Sequence, residues 1–454
     1  YNVEKGLAER LIQLKKAPVT LLNTEKIWRD TEKLRRLQGV EYSSRQKEAL
    51  IEALKEKLLV ITGGPGTGKT TIVKGIIQLF EYLGRRVFLT APTGRAAKRL
   101  AESTGRRAQT IHRLLEFDPA VKQFKHNQKY PLRADMVIVD EMSMVDCTLA
   151  FHLVKAVPLN ARLIIVGDVD QLPSVGAGNV LREIMDSGCV ATVHLNEIFR
   201  QAQDSQIIIN AHRINRGLMP NLELKKVQKR EESVSSRFRL LPRDDYGDFL
   251  FVQEDDPEQI VSLIRELCEV KLPRRYNYKP KQDIQILTPM YRGILGADNL
   301  NRVMQEALNP NTKKISRGSY ELRVGDRVMQ IRNNYDKKVF NGDLGFVQQI
   351  DAEEQTVLIL FEKSVEYDFS ELDELVLAYA ITVHKSQGSE YPVVIMPITT
   401  QHFIMLQRNL LYTAITRAKE LNVLLGSTKA LALAIKNNKV SKRNTRLAWR
   451  LRGS

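Results

Sequence analysis

The sequence predicts an α/β protein with two domains, each a parallel sheet flanked by helices. Three observations carry that expectation. Apolar, β-branched runs recur at Leu58–Thr62, Arg86–Ala91, Met136–Asp140 and Arg162–Gly167, continuous enough to be strands covered on both faces. Amphipathic helical stretches separate them, and a second strand–helix alternation follows between Glu258 and Leu425. Inside that second alternation, Val324–Phe369 breaks into short runs around Asn341-Gly342-Asp343 and Asp351–Gln355, the spacing of a small inserted barrel.

Taken in order, the chain begins with an amphipathic stretch, Tyr1–Lys16, carrying Val3, Leu7, Leu11, Ile12 and Leu14. It has no initiator Met, and residues 1–40 read as the helical remnant of a further N-terminal domain. Residues 41–221 make the first domain. Its clearest helix is Thr70–Leu83, rich in Ile72, Val73, Ile76, Ile77, Leu79 and Phe80 and stopped by Gly84. Residues 222–256 show clustered charge without a period and read as a linker or insertion. Residues 257–430 make the second domain, with helices at Glu258–Val270, Ala297–Leu308 and Arg408–Lys419, strands at Asp283–Thr288, Tyr391–Met396 and Leu421–Leu425, and the barrel at about 313–372. After Glu420 no acidic residue occurs, so residues 431–454 read as a basic tail, either solvated or in contact with a polyanion.

Composition narrows the class. The 454 residues suit about three domains at roughly 150 residues each. No apolar run approaches the roughly 18 residues a membrane span needs, so no membrane role is expected. The net charge of +16 favours a nucleic-acid partner over a membrane surface. Three scattered cysteines, Cys147, Cys189 and Cys268, suit the reducing cytoplasm and make neither a disulfide framework nor a metal cluster.

The chemistry is written most sharply in Gly63-Gly64-Pro65-Gly66-Thr67-Gly68-Lys69-Thr70, a phosphate-binding loop after a strand and before a helix. Glycines let backbone N–H groups turn towards phosphate, and the helix N-terminus adds its dipole. The expected nucleotide contacts are therefore Gly64, Pro65, Gly66, Thr67, Gly68, Lys69, Thr70 and Thr71. Lys69 would reach the terminal phosphates of ATP and Thr70 would hold Mg²⁺. The strand Met136–Val139 ends in Asp140 and Glu141, suited to the Mg²⁺ shell and to activation of the attacking water. Gln171, after Gly167-Asp168, is placed to sense the γ-phosphate.

With these stand Asp140-Glu141-Met142-Ser143, the run Gly167–Pro173, Ile198-Phe199-Arg200-Gln201, the run Val383–Tyr391 and the run Tyr412–Lys419. In this order the six motifs resemble those of superfamily 1 helicases, and most of all the 5′-to-3′ RecD-like branch, over about Ser43 to Lys419. The resemblance implies two RecA-like P-loop NTPase domains, a small β-hairpin insertion in the first and a small SH3-like β-barrel in the second. It also implies roles. Gln46 would read the adenine edge, and Arg200 and Arg417 would be arginine fingers stabilising charge on the transferring phosphoryl group. Pro92, Thr93, Arg95, Thr110, His112, Tyr291, Asn334, Thr382, His384 and Ser386 would line the single-strand track.

In RecD-like relatives a hairpin that splits the duplex sits where Phe117–Arg133 lies here. The expected activity is ATP-dependent, Mg²⁺-requiring 5′-to-3′ translocation on single-stranded DNA with duplex unwinding, in repair or recombination, by a monomeric cytoplasmic motor. No nuclease-type carboxylate cluster follows the motor motifs, so unwinding without cleavage is expected. A translocase on RNA and a protein-remodelling P-loop ATPase are the alternatives. Stimulation by DNA against RNA oligomers separates them.

Overall fold

The computed structural model describes residues 1–18, 41–199, 204–222, 225–226, 247–317, 320–439 and 443–453. It divides into two compact units, residues 1–202 with 441–454, and residues 203–440. Among the described residues no helix is long and apolar enough to cross a membrane.

The first unit holds a six-stranded parallel sheet in the order β3-β2-β6-β7-β1-β8. Its strands are β1 (Leu58–Gly63), β2 (Val87–Ala91), β3 (Ala108–Thr110), β6 (Met136–Val139), β7 (Arg162–Gly167) and β8 (Ala191–Leu195), while β4 (Phe117–Asp118) and β5 (Gln123–Phe124) form a separate hairpin. Successive side chains of a strand point to opposite faces. Leu58, Val60, Val137, Val139, Leu163 and Ile165 accordingly enter one core, and Leu59, Ile61, Met136, Ile138, Ile164 and Val166 the other. Helices α2 (Ser44–Lys55) and α3 (Lys69–Tyr82) cover the second face.

Helix α1 (Asn2–Lys16), expected within a separate N-terminal segment, packs in the first unit: it lays Leu7, Leu11 and Leu14, spaced i, i+4, i+7, into the first core against α6 (Cys147–Ala156). Its Arg10 donates to the backbone oxygens of Val154 and Val157. This unit also holds α4 (Gly94–Thr104), α5 (Ile111–Leu114) and α7 (Val180–Asp186).

The second unit begins with α8 (Gln206–Asn215), which moves the domain border upstream of the expected residue 221. The cause is local. Ser205 and the backbone N–H of Ile207 donate to the Asp248 carboxylate, and Arg408 reaches the Asn215 carbonyl. A second parallel six-stranded sheet has the order β19-β11-β20-β21-β10-β9. Its strands are β9 (Lys225–Lys226), β10 (Phe249–Gln253), β11 (Ile284–Thr288), β19 (Ala380–Thr382), β20 (Tyr391–Ile398) and β21 (Ala418–Gly426). Strand β10 falls inside the stretch expected to be linker. It is an inner strand, and Phe249, Phe251 and Val252 are buried.

The longer helices of the unit include α9 (Pro257–Glu266), α10 (Ala297–Leu308), α11 (Arg408–Ile415) and α12 (Thr428–Lys436), α11 ending before the expected Lys419 because β21 begins at Ala418. The inserted barrel is an antiparallel sheet, β17-β16-β15-β14-β18, beside the hairpin β12 (Lys314–Arg317) and β13 (Tyr320–Arg323). Strands β14 (Arg327–Gln330), β15 (Leu344–Asp351), β16 (Thr356–Leu360) and β17 (Ser364–Asp368) are followed by β18 (Leu375–Leu377), just past the expected edge at 372. One buried carboxylate fixes this insertion to its host. Asp326 Oδ1 accepts from Asn309 and the Tyr379 hydroxyl, and Oδ2 accepts from Gln305 and the Arg323 N–H.

Residues 443–453 also depart from expectation. They return to the first unit, where α13 (Leu447–Leu451) buries Leu447 and Leu451 in the α1 core. Glu4 accepts from Arg450 and Glu183 from the Leu447 N–H, and the Thr445 hydroxyl lies within hydrogen-bond distance of both carboxylates. The acidic partners of this basic segment come from distant parts of the chain.

Candidate nucleotide and strand-binding site

The phosphate-binding loop leaves β1 and feeds α3. Gly66 and Gly68 hold φ of 71° and 79°, in the region that favours glycine. A Cβ on Gly68 would also lie 2.2 Å from the Phe199 ring and 2.4 Å from the Gln46 amide, so both side chains lean on the loop. Lys69 Nζ donates to the Gly63 and Gly64 carbonyls at 2.5 and 2.9 Å, and Thr67 Oγ1 donates to Gly64 O. The lysine thus lies in the concave side of its own loop. The Thr70 side chain is exposed on the first turn of α3.

Gln46 is buried. Its Oε1 accepts from the Ser43 N–H as part of a capping box, and Nε2 reaches Thr67 O at 3.5 Å. Both ends of the amide therefore already engage backbone, one of them the loop itself.

Asp140 and Glu141 end β6 at the same sheet edge. The Asp140 N–H donates to Thr90 O of the neighbouring β2, and Asp140 Oδ1 accepts from the Glu141 N–H. Burial, and then the adjacent Glu141, push the Asp140 carboxyl up to about 6 against the pull of Arg99 and Lys69. Glu141 holds the left-handed backbone (φ 53°), and its Oε1 accepts from Arg99 Nη2 of α4 at 2.6 Å. An oxygen donor pair, the Thr70 hydroxyl and a carboxyl strained by burial and a like charge, fits a hard divalent cation such as Mg²⁺.

Gln171 is buried beside them, its amide donating to Asp168 Oδ2, while Thr62 of β1 accepts from the Val169 N–H. Lys69, Thr70, Asp140, Glu141 and Gln171 all stem from the C-terminal ends of β1, β6 and β7, where open α/β sheets bind ligands.

At the neighbouring strand ends, Ala91 of β2 pairs in register with Thr110 of β3. Thr93 and Thr110 cap α4 and α5, accepting from Ala96 and Arg113, with Pro92 in the β2–α4 turn and Arg95 in the first turn of α4. His112 stands edge-on to Phe117, ring centroids 5.5 Å apart, and 5.6 Å from Phe124. Those rings are opposite partners of the β4–β5 hairpin, so His112 sits at its base. The hairpin has two residues per strand, the Lys125 and His126 N–H groups carry the pairing on to the Glu116 and Leu115 carbonyls, and the chain then bends to residue 130.

Within the second unit, a groove of about 780 Å³ is lined by Tyr291, Arg302, Arg323, Thr382 and Lys385 among others. Tyr291 is half exposed at its mouth. The other expected contacts lie elsewhere. Ser386 is fully buried and donates to Val383 O, Asn334 donates to Glu374 and accepts from the Lys337 N–H, and His384 is half-buried with its pKa lowered by desolvation. The Arg417 guanidinium is buried on oxygens of its own unit, Thr413 O, Ser389 O and Thr416 Oγ1. Arg200 lies outside the described residues. Arg99 and Arg302 were not among the residues expected from the sequence, and Phe199 and Lys385 lay inside quoted motifs without a role of their own.

These features define a P-loop NTPase with two RecA-like sheets, the architecture of superfamily 1 motors. Residues 46–177 match the family model described as AAA domain, 300–361 that of the ATP-dependent RecD-like DNA helicase SH3 domain, and 377–425 that of the UvrD-like helicase C-terminal domain. The RecD subunit of the RecBCD enzyme of Mycolicibacterium smegmatis is 31% identical, covering 90% of this chain and 74% of that protein. The ATP-dependent RecD2 DNA helicase of Deinococcus radiodurans is 38% identical over 90% of this chain, which spans about half (52%) of that protein. This chain belongs to the RecD-like family of superfamily 1 helicases. The fold is shared with Pif1 helicase from Bacteroides, crystallised with ADP-AlF3 and single-stranded DNA, at TM-score 0.50 and 20% identity over 87% of this chain and 94% of that one.

Proposed function

We propose that this chain is the motor of an ATP-dependent DNA helicase that moves 5′ to 3′ on single-stranded DNA and separates duplex ahead of it, in repair or recombination. The observation that carries this reading is the shared sheet edge. Nucleotide groups at the ends of β1, β6 and β7 stand beside strand-contact candidates at the ends of β2 and β3. Lys69 would hold the β- and γ-phosphates and Thr70 and Asp140 the Mg²⁺, which supplies charge neutralisation on the phosphates. Glu141 would take the proton of the attacking water and Gln171 would sense the γ-phosphate.

Arg200 and Arg417 are proposed as the arginine fingers. For Arg417 that role requires leaving its cradle on Thr413, Ser389 and Thr416. Gln46 is proposed at the adenine edge. The single strand would run past Pro92, Thr93, Arg95, Thr110 and His112 on the first unit, and past Tyr291 and Thr382 in the groove of the second. His384 is proposed as a further strand contact, while Asn334 and Ser386 would act from behind the track, by holding backbone. The chain is proposed to work as a single copy in the cytoplasm.

The test is ATP hydrolysis with and without oligo-dT, and with oligo-rU as the RNA arm. Hydrolysis should rise with oligo-dT and vanish in Lys69→Ala, while single-strand affinity, which rests on phosphate contacts elsewhere, is retained. Lys69→Ala with more than a few per cent of wild-type hydrolysis would remove Lys69 from its role. Stimulation by oligo-rU alone would reassign the substrate to RNA.

A further inference from the structure

We propose that Arg99 is a brake on the water-activating carboxylate Glu141, and that a single strand seated on the β2–α4 turn releases it. The proposal rests on the functional reading above and concerns how its two halves communicate.

Arg99 projects from the second turn of α4, and its Nη2 lies 2.6 Å from Glu141 Oε1. The Glu141 side chain is only 7% exposed and that of Arg99 31%, so the pair is mostly shielded from water. A charge-assisted bond of this length fixes the carboxylate and turns one oxygen towards a guanidinium. A general base must instead aim that lone pair at a water molecule. Glu141 is therefore held as a structural anion while Arg99 grips it.

Two ties fix the carboxylate end of this contact. Glu141 adopts a left-handed backbone that non-glycine residues rarely hold, so its side-chain direction follows from the β6 terminus. Strand β6 in turn is hydrogen-bonded to β2, with Thr90 paired to Val139 and the Asp140 N–H donating to Thr90 O. The arginine end is carried by a different body, α4. That helix starts at Gly94, directly after the Thr93 cap, and presents Arg95 and Arg99 one turn apart on one face. Pro92, Thr93 and Arg95 are the residues proposed to take the DNA backbone. A phosphate bound there acts on the N-terminus of α4, and a small shift of α4 against the sheet changes the Arg99–Glu141 distance directly. Strand binding and release of the base become one event, with no element between them but a single helix.

Linkage supplies a readout that is not hydrolysis. If strand binding must break the ion pair, removing the pair lets the strand bind more tightly, and the effect is reciprocal. Arg99→Gln keeps the side-chain length and removes the charge. It should raise hydrolysis without DNA by about fivefold or more, leave the rate at saturating oligo-dT within about twofold, and tighten nucleotide-free binding of fluorescein-labelled oligo-dT by a similar factor, the low end of typical coupling. Glu141→Gln, which is expected to abolish hydrolysis, should tighten oligo-dT binding as well, and the double variant should bind no more tightly than either single one. Arg99→Lys should keep the DNA-free rate near wild type.

A DNA-free rate that is unchanged or lower in Arg99→Gln overturns the brake, as does oligo-dT affinity that fails to rise in either single variant. Should Arg99→Gln not fold, the Glu141→Gln affinity decides alone. Wild-type hydrolysis that ignores oligo-dT would instead sink the functional reading itself.

Discussion

Asp326 is the point at which the barrel can be detached from its motor unit by one substitution. Its carboxylate is completely buried and accepts four hydrogen bonds, from Asn309 and Gln305 of the α10 region, from the Tyr379 hydroxyl and from the Arg323 N–H. Asp326→Ala leaves four donors facing a void. Each unsatisfied buried donor costs about 1–3 kcal/mol, but local relaxation and shared partners make the sum less than additive. Summed below additivity over the four donors, the loss expected here is about 3–5 kcal/mol.

Asp326→Asn keeps one accepting oxygen and turns its amide towards two of the donors, so about half that loss is expected. Urea unfolding followed by intrinsic fluorescence gives the total. Hydrogen exchange should localise the lost protection to residues 297–309 and 320–330. The same residues wall the groove that holds Tyr291, Arg302 and Lys385, so oligo-dT affinity should fall with stability. A loss below about 1 kcal/mol in Asp326→Ala, or lost protection spread over both units, would refute the anchoring role.

Two further outcomes follow from the site. Either Arg200→Ala or Arg417→Ala should lower kcat by about a thousandfold or more with little change in ATP affinity; for Arg417, whose guanidinium bonds three oxygens of its own unit, Arg417→Lys with an unchanged melting temperature separates the finger role from a packing role. Replacing the hairpin tip Asp118–Gln123 with a Gly-Ser turn, while keeping Phe117 and Phe124 on His112, should preserve DNA-stimulated hydrolysis. Unwinding should fall about tenfold, the effect on a rate of the roughly 1.4 kcal/mol needed to open a base-pair step. Equal loss of both activities would make the segment structural, and loss of neither would leave strand separation to another element.

The parts legible in the sequence are those where local pattern and tertiary environment agree. Strands β1, β2, β6 and β7 are apolar on both faces because each face has its own core, and the glycines of the phosphate loop are there because φ at Gly66 and Gly68 demands them. What was hidden depends on partners distant in the chain. Leu7, Leu11 and Leu14 announce an amphipathic helix but not that α6 and α13 receive it. The tail reads as an unbalanced basic run because Glu4 and Glu183 lie hundreds of residues away. Strand β10 is masked by the charge clustered before it. Motif reading named Glu141 but not Arg99, since an ion pair between a helix and a strand end has no fixed spacing. Ser386 matched a motif position and Asn334 was expected at the strand track, yet their side chains hold the fold's own backbone and a carboxylate.

The central claim is ATP-driven movement in one direction along a DNA strand, and a pair of partial duplexes measures it. One substrate carries a single-stranded 5′ tail and the other a 3′ tail of the same length, each incubated with Mg²⁺ and either ATP or ADP. Strand separation should occur with the 5′ tail and ATP alone. Equal separation from the 3′ tail would contradict the direction, and no ATP-dependent separation from either would contradict the motor.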